Sequence, residues 1–440
     1  MKNYKKTISI ITLGCSKNTV DSEDLATRLT NNYNVVYGEY GNADIVIINT
    51  CGFILDAKQE SIDTILEYAK MKQEGEIEKL FVFGCLSQRY KKELIDEIPE
   101  VDEFFGVNSL EDILNCLECS TASNNEKVRN ISTPKHYAYI KIAEGCNRMC
   151  AFCAIPYIRG RYISRKIEDI VKEVELLAKN GTHEFNIIAQ DLSYYGKDIY
   201  GDYKLPELVE KLEKIENVKW IRLHYTYPNN FPLETLKLMK NSKKICHYLD
   251  IPLQHINDRV LSKMKRGHTK EETLNLLKKF REEIPDIALR TSIMVGFPGE
   301  TDLAFNELVD FVKETRFDRL GVFTYSAEEG TFSAENYADR ISQKKKQERA
   351  DKIMSIQQKI SLELNVAKIG KQYEIIIDRE EGEFFVGRTK QDSPEVDNEV
   401  LVKKIDAKDF KIGKFYNVEI IDAEEFDLYA KPIHKNEQNE

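Results

Sequence analysis

The 440-residue chain has no long apolar run. No stretch approaches the ~20 consecutive apolar residues that a membrane-spanning helix needs. The only apolar run near the start, from Ile8 to Leu13, is too short for the core of a secretory signal. We therefore expect no membrane partner and a cytoplasmic location, where the nine cysteines are thiolates, metal ligands or core residues rather than disulfides.

The chain also lacks a basic excess, because its formal net charge is −10. A protein whose main partner is bare nucleic acid usually carries surplus positive charge. The negative net charge of this chain therefore favours a basic or neutral partner. Low-complexity segments and solenoid repeats are absent from the sequence as well. With 42% hydrophobic and 31% charged residues, the composition is that of a globular chain with two or three domains.

Six of the nine cysteines form two sets of three. Cys146, Cys150 and Cys153 lie within one short run, whereas the other three are far apart and each follows a strand-like segment: Cys15, Cys51 and Cys85. Thiolates hold iron–sulfur clusters, and three of them leave one iron of a four-iron cluster free for another ligand. Zinc is the alternative for the first set, but structural zinc takes four ligands and no fourth Cys or His lies nearby.

Residues 1 to about 120 alternate between short apolar, β-branched runs and helical patterns, which predicts an open parallel sheet. In such sheets ligands bind beyond the carboxyl ends of the strands, so the three dispersed cysteines are expected to converge. The alternative is three unrelated buried cysteines, since free cysteine is common in cores. The predicted strands are Thr7–Leu13, Ile45–Asn49 and Leu80–Phe83, and the predicted helices are Asp21–Leu29, Asp56–Lys70 and Tyr90–Ile98.

The alternation resumes after an irregular, polar stretch, Ser120–Pro134, which is a plausible linker. Six strand–helix units are too few for an eight-stranded barrel, so we expect a partial (β/α)6 barrel whose open side could admit a macromolecule. The predicted strands are Tyr139–Ala143, Phe185–Gln190, Trp220–Tyr225, Tyr248–Ile251, Ala288–Val295 and Arg319–Tyr325, with helices at Ile167–Lys179, Leu205–Ile215, Thr269–Glu283 and Leu303–Thr315.

The last part of the chain changes to β structure after an amphipathic helical stretch, Ser342 to about Val366. Four short strands punctuated by Gly and Pro predict a small all-β barrel of oligonucleotide-binding size. The predicted fold class is therefore α/β, with domains at 1–120, 132–365 and 366–435. The predicted strands of the last domain are Tyr373–Ile377, Phe384–Arg388, Glu399–Lys404 and Phe415–Ile421.

Several other residues are candidates for the site. Gly296, Gly299 and Glu300 end the fifth barrel strand and could bind a cofactor, because glycines allow a close backbone approach; a turn and a helix cap explain them equally well. Gln190 and Asp191 are either polar contacts to a cofactor or substrate, or part of a cap or turn. His255 is either catalytic or structural. The three arginines that follow the cysteine loop either face an acidic substrate or form a solvated face: Arg159, Arg161 and Arg165. We expect no metal or redox role for Cys116 and Cys119, and a core position for Cys246.

Together these motifs resemble the methylthiotransferases, a branch of the radical S-adenosylmethionine (SAM) superfamily. The resemblance covers nearly the whole chain and includes the six cysteines and a TRAM-like C-terminal domain. It implies two [4Fe–4S] clusters, one held by Cys146, Cys150 and Cys153 and the other by Cys15, Cys51 and Cys85. SAM is the implied second cofactor, with Gly296, Gly299 and Glu300 as its candidate contacts, and the resemblance identifies no catalytic side chain.

The family has one branch that modifies adenosine in tRNA and another that modifies an aspartate of the twelfth small-subunit ribosomal protein. Several stretches resemble the ribosomal-protein branch: Cys15 to Asn18, Ala189 to Asp191, Asp250 to His255, Arg319 to Ser326 and Asp392 to Asp397. Charge supports the same branch, because residues 368–440 carry 18 Asp or Glu against 12 Lys or Arg, a net −6. An acidic domain suits a basic protein partner, and we expect Asp392, Glu395, Asp397 and Glu399 to dock it.

The reaction implied by this branch inserts a methylthio group at the β-carbon of the aspartate, in the free protein or the assembled subunit. One SAM methylates a sulfur held at the N-terminal cluster. A second SAM is cleaved at the other cluster, and the resulting radical removes a hydrogen atom from the aspartate. A low-potential donor, flavodoxin or ferredoxin, is implied. The alternatives are the tRNA enzyme and a non-catalytic iron–sulfur RNA-binding adaptor.

Overall fold

The computed structural model describes residues 5–38, 41, 43–119 and 127–433. It contains a five-stranded sheet, a six-stranded sheet and a closed five-stranded barrel, one after another along the chain. The predicted three-part α/β fold is therefore confirmed. Residues 120–126 of the predicted linker lie outside the described residues, and the exact domain boundaries stay a prediction.

The N-terminal part is an open sheet with strand order β2-β1-β3-β4-β5, and all of its neighbouring strands run parallel. Helices cover both faces of the sheet, which buries the apolar strands in two separate clusters of side chains. Its elements are β1 (Thr7–Thr12), α1 (Ser16–Leu29), β2 (Asn34–Tyr37), β3 (Ile45–Thr50), α2 (Leu55–Gln73), β4 (Lys79–Gly84), α3 (Cys85–Glu97), β5 (Glu103–Phe104) and α4 (Leu110–Cys116).

The central part is a parallel sheet with strand order β13-β12-β11-β10-β9-β6, as six strand–helix units predict. Its strand and helix side chains form the largest core of the molecule. Its elements are β6 (Tyr137–Lys141), β7 (Ala143–Glu144), α5 (Ile155–Arg159), β8 (Ile163–Ser164), α6 (Ile167–Lys179), β9 (Glu184–Ile188), α7 (Lys197–Tyr200), α8 (Leu205–Glu213), β10 (Trp220–Leu223), α9 (Glu234–Asn241), β11 (Ile245–Asp250), α10 (Asp258–Lys263), α11 (Lys270–Glu283), β12 (Ala288–Val295), α12 (Asp302–Thr315), β13 (Arg319–Thr324), α13 (Phe332–Asn336) and α14 (Gln343–Val366).

The C-terminal part is a closed barrel with strand order β14-β15-β16-β18-β17. Its interior is a compact apolar cluster separate from the central core. The fifth strand, which closes the barrel, does not stand out in the sequence. The strands are β14 (Gln372–Glu381), β15 (Phe384–Thr389), β16 (Glu399–Lys403), β17 (Phe415–Ala423) and β18 (Asp427–Pro432).

The loop between β15 and β16 packs against the strands of the central sheet. Asp392 pairs with Arg319 at the start of β13, and Tyr248 on β11 donates a hydrogen bond of 2.8 Å to Asp397. Asp397 also lies 3.4 Å from Arg290 on β12. These contacts join the C-terminal barrel to the interior of the central barrel through charged and polar side chains.

The expected docking role for four acidic residues is therefore wrong for two of them, because the side chains of Asp392 and Asp397 are fully buried in ion pairs. Glu395 is exposed, although it accepts hydrogen bonds from Tyr137 and Tyr139 on β6. Glu399 pairs with Arg379 within the C-terminal barrel, and docking by these two residues stays a prediction. Net charge did not reveal that the Asp392 and Asp397 carboxylates serve as internal counter-ions.

A second interdomain contact is a network of buried charges centred on Glu184, the first residue of β9. Its carboxylate accepts hydrogen bonds of 2.8 and 3.2 Å from Arg388 on β15 and one of 3.1 Å from Arg222 on β10. Arg388 also forms bonds of 2.6 and 2.9 Å with Asp378 on β14. The Arg388 and Arg222 charges hold the pKa of the Glu184 carboxyl low despite its burial.

Replacing Glu184 with Gln is expected to weaken the docking of the C-terminal barrel, because it removes the ion-pair partner of Arg222 and leaves Arg388 with Asp378 alone. Breaking a buried ion pair in this way costs about 3–5 kcal/mol. Hydrogen exchange measured by mass spectrometry should accelerate in β9 and β15. The control is Glu207→Gln, which removes two exposed ion pairs, with Lys204 and Lys211, and should change stability by less than about 0.5 kcal/mol. Equal protection in both variants would contradict this prediction.

Helices are numerous in the described part of the chain, but none combines the length and the apolar character needed to cross a membrane.

Candidate active site

Cys15, Cys51 and Cys85 lie at one edge of the N-terminal sheet. Cys51 directly follows β3 and Cys85 directly follows β4, and the last residues of these strands, Thr50 and Gly84, are paired in register. Cys15 follows β1, the neighbour of β3 on its other side, and precedes α1. The structure thus brings the N-terminal triad together, because the carboxyl ends of adjacent parallel strands meet at one edge.

Two glycines allow this approach of the three loops. Gly14 has φ +92°, and a Cβ there would lie 2.9 Å from the Cys51 sulfur and 2.7 Å from its Cβ. Gly84 has φ +104°, and a Cβ there would lie 2.6 Å from the Thr50 carbonyl oxygen. Any other residue at either position would strain the backbone and push the loops apart.

Burial raises the pKa of the two inner thiols of this triad. The Cys51 pKa is raised, and the Cys85 pKa rises to about 11, although the charge of Arg159 opposes the rise. A thiol with such a pKa is protonated at neutral pH unless a cation holds the thiolate. A coordinated metal ion supplies that charge and deprotonates the thiol.

Cys146, Cys150 and Cys153 lie in the loop between β7 and α5, directly beyond the first barrel strand. The loop bonds to itself, since the amide of Arg148 donates to the Cys146 sulfur at 3.3 Å and the amide of Cys153 donates to the Cys150 carbonyl at 3.1 Å. Burial raises the pKa of Cys146 to about 12 and also raises the pKa of Cys153.

The Cys150 sulfur has two further polar neighbours that the sequence did not single out. Arg266, after α10, donates a hydrogen bond of 3.3 Å to it, and the Tyr227 hydroxyl lies 3.7 Å away. The Tyr227 ring has two guanidinium groups within 4.2 Å of its centroid, those of Arg148 and Arg266. Arg148 is held in turn by Asp191, at 2.8 Å. Hydrogen bonds and positive charge around the sulfurs tune the potential of a cluster.

Arg159 connects the two triads. It ends α5, six residues after Cys153, and its guanidinium donates to Asn18 at 2.6 Å and to Asp21 at 3.1 Å, both on α1. Its charge also acts on the Cys85 thiol, because it opposes the rise of the Cys85 pKa on burial. Cys85 packs in one apolar cluster with Ala154, the neighbour of Cys153. The two triads therefore face a shared interface between the N-terminal and central domains.

The other two candidate arginines have different surroundings. Arg165 pairs with Glu173 on α6 at 2.6 Å, so its position is structural. Arg161 lines a cleft of about 510 Å³ that opens beside Cys146. Of the three arginines, Arg159 is thus the one buried between the cysteine sets, and Arg161 the one nearest an opening to solvent.

The donor types at both triads fit an iron–sulfur cluster. Within the described ranges, no three His, Cys, Asp or Glu side chains lie close enough together to bind one metal ion. In a four-iron cluster each thiolate binds a different iron, so the thiolates need not meet at one point. The all-sulfur donor set and the donors aimed at Cys146 and Cys150 suit such a cluster. The role of the six cysteines as ligands stays a prediction.

The loop after β12 uses its candidate cofactor residues for internal contacts. Glu300 is buried, and its carboxylate accepts hydrogen bonds from the amide of Gly296 and, at 2.9 Å, from Arg349 on α14. A Cβ on Gly296 would meet the Lys346 side chain, and one on Gly299 would meet Lys263. The turn itself thus explains these three residues, and a contact with SAM stays a prediction.

The remaining candidates have structural surroundings. His255 is fully buried; its Nδ1 accepts the amide of Asn257, and its Nε2 lies 3.5 Å from Glu300. Gln190 donates to Glu144 at 3.1 Å. Cys246 is buried in an interdomain apolar cluster, as expected for a core residue. Cys116 and Cys119 lie at and beyond the end of α4, and Cys119 is part of the N-terminal core.

Three family models match the chain. Residues 140–312 match the radical SAM superfamily, residues 7–106 match Uncharacterized protein family UPF0004, and residues 369–433 match the TRAM domain. Curated relatives match almost end to end. "Ribosomal protein uS12 methylthiotransferase RimO" of Bacteroides fragilis is 53% identical over 98% of this chain and 100% of its own length. The protein of the same name from Flavobacterium psychrophilum is 52% identical over 98% and 99%.

Solved structures with distant sequences share the fold. The radical S-adenosylmethionine methyltransferase TsrM from Kitasatospora setae has a TM-score of 0.55 at 15% identity and covers 75% of this chain and 77% of its own. The cobalamin-dependent radical enzyme OxsB has a TM-score of 0.51 at 12% identity, covering 80% and 56%. Membership of the radical SAM superfamily implies SAM and a [4Fe–4S] cluster. The chain belongs to the family of ribosomal protein uS12 methylthiotransferases.

Proposed function

We propose that this chain attaches a methylthio group to the β-carbon of an aspartate in the small-subunit ribosomal protein uS12. The observation that carries the proposal is the pairing of two cysteine triads at one domain interface, in a chain about half identical to the uS12 methylthiotransferases over nearly its whole length. Flavodoxin or ferredoxin is the proposed electron donor. A ribosomal substrate also supports a cytoplasmic location.

Each triad has a separate proposed task. Cys146, Cys150 and Cys153 hold a cluster that, when bound, supplies the electron for SAM cleavage. Cys15, Cys51 and Cys85 hold a second cluster that supplies the site for the transferred sulfur. Four-iron clusters held by three cysteines have one open iron each, which explains why both sets stop at three.

The chain's own side chains position and shield these sites. Arg266 donates a hydrogen bond to the Cys150 sulfur, and the Tyr227 hydroxyl donates to the Arg266 carbonyl at 2.6 Å. The bond between Arg148 and Asp191 fixes the cation above the Tyr227 ring. Arg159 joins the two domains, so that a substrate bound at their interface reaches both triads. Burial of these polar groups excludes water from reactive intermediates.

The test offers the reduced, reconstituted protein two substrates, uS12 and tRNA, in the presence of SAM and a sulfur source. Mass spectrometry is expected to find one methylthio group on an aspartate of uS12 and none on tRNA adenosine. Modification of tRNA alone would replace the proposed substrate with the nucleic acid. If the protein did not cleave SAM at all, the chain would instead be a non-catalytic adaptor.

A further inference from the structure

Lys17 is a buried cation beside the N-terminal triad. It lies two residues after Cys15, in the first turn of α1, and only 8% of its surface is exposed. Its ammonium nitrogen stands 3.2 Å from the ring centroid of Tyr225. In the part of the chain that the structure describes, no carboxylate lies within ion-pair distance of it. Burying a charge without a counter-ion costs free energy, so side-chain packing alone does not explain why the Lys17 ammonium is buried here.

The surroundings of Lys17 are those of a ligand site. Tyr225 follows β10 at the carboxyl end of the central sheet, the end where barrel enzymes bind their substrates. Its φ is +59°, a conformation that costs a bulky residue energy and is found at functional sites. The Tyr225 face gives the ammonium a partial partner through its ring quadrupole, and the N–H donors that point away from the ring are free to bind an oxygen ligand.

Asp250, at the end of β11, is an acidic residue on which the charge of Lys17 acts. Burial raises the pKa of Asp250, and the charges of Arg290 and Lys17 oppose the rise. Arg290 lies 3.5 Å from the Asp250 carboxylate, whose Oδ1 has no hydrogen-bond partner among the described residues. The competing explanation for Lys17 is therefore structural, namely that it balances Asp250 across a gap without contacting it.

We propose that the Lys17 ammonium binds the side-chain carboxylate of the substrate aspartate. This inference rests on the proposed function. The carboxylate is bonded directly to the β-carbon that receives the methylthio group. A cation two residues from Cys15 therefore holds the reacting carbon close to the sulfur site. The bound carboxylate also supplies the counter-ion that Lys17 lacks, through a charge-assisted hydrogen bond.

The test compares two forms of uS12, one with the target aspartate and one with asparagine in its place. Dissociation constants are measured with the reconstituted holoenzyme and SAM but without reductant, so that no turnover occurs. The wild-type protein is expected to bind the Asp form roughly 10- to 100-fold more tightly, the range for a hydrogen bond to a charged group. Lys17→Gln should remove this preference by weakening only the Asp form, and Lys17→Arg should keep part of it.

Two controls separate recognition from structure. Lys179→Gln removes an exposed lysine of α6 and should leave both dissociation constants unchanged. Adding Asp250→Asn to Lys17→Gln should not restore preference for the Asp form, whereas restoration would show that Lys17 only balances Asp250 and would overturn the inference. The inference would also be overturned if Lys17→Gln weakened the binding of both uS12 forms equally. It would be overturned as well if Lys17→Gln weakened the binding of SAM and left the binding of uS12 unchanged.

The outcomes for Lys17 and for the proposed function are distinct. If the wild-type enzyme modifies uS12 but Lys17→Gln keeps its preference for aspartate, the proposed function stands and Lys17 has no role in recognition. If the wild-type enzyme modifies tRNA and does not bind uS12, the proposed function fails, and the inference fails with it.

Discussion

A variant in which Cys146, Cys150 and Cys153 are all replaced with alanine is expected to lose SAM cleavage completely. The wild-type protein, reconstituted without oxygen, should contain about eight irons, and this variant about four, because each four-iron cluster depends on its own thiolates. Iron analysis and detection of 5′-deoxyadenosine by chromatography measure the two effects. Burial raises the pKa of Cys146 and of Cys153, so the cluster must supply the positive charge that keeps these two as thiolates.

The matched control for this variant is Cys116→Ala. Cys116 is exposed and lies at the end of α4, on the wall of a separate cleft from the one beside Cys146. Its loss should leave both the iron content and the SAM cleavage at the wild-type level. A full iron content in the triple variant would show that these three cysteines do not hold a cluster.

Replacing Cys15, Cys51 and Cys85 with alanine should separate the two half-reactions. The iron content should again fall to about four, but the reduced variant should still form 5′-deoxyadenosine, because the other triad is intact. Methylthio transfer to uS12 should be undetectable by mass spectrometry, since the sulfur site is lost. The methyl transfer that produces S-adenosylhomocysteine should also stop.

Alanine at these positions removes little volume, because cysteine is small. Gly14 already allows the tight approach to Cys51, so the sheet edge should keep its shape. Circular dichroism and the remaining cluster absorbance provide the check on folding. Methylthio transfer at the wild-type rate in this variant would exclude the N-terminal triad as the sulfur site.

The sequence predicts the features that depend on local pattern. Cys15, Cys51 and Cys85 each follow a buried parallel strand, and strand order alone brings such positions to one edge. The starts of α1 and α3 were placed too late, at Asp21 and Tyr90: α1 begins directly after Cys15, and α3 begins at Cys85 itself. The edge strands β2 and β5 were missed because one is half-buried and the other has only two residues.

Contacts between distant segments were not predictable from pattern. Arg266 is 116 residues from Cys150 and belongs to no motif, yet it donates to its sulfur. Arg388 and Glu184 are 204 residues apart. Asp392 and Asp397 were interpreted as surface charges because composition records how many acids a domain has, not which partners they face. Only the assembled structure shows that they neutralise arginines of another domain.

The same interdomain ion pairs have a consequence for synthesis on the ribosome. Arg319 and Arg290 in the central barrel receive counter-ions from Asp392 and Asp397, which are translated about seventy residues or more later. Because translation adds about 5–20 residues per second, these two aspartates are synthesised several seconds after the central barrel. During this interval Arg319 lacks the counter-ion that it has in the complete protein, whereas Arg290 can already pair with Asp250 of its own domain. Neutralisation of Arg319 thus depends on the emergence of the C-terminal barrel.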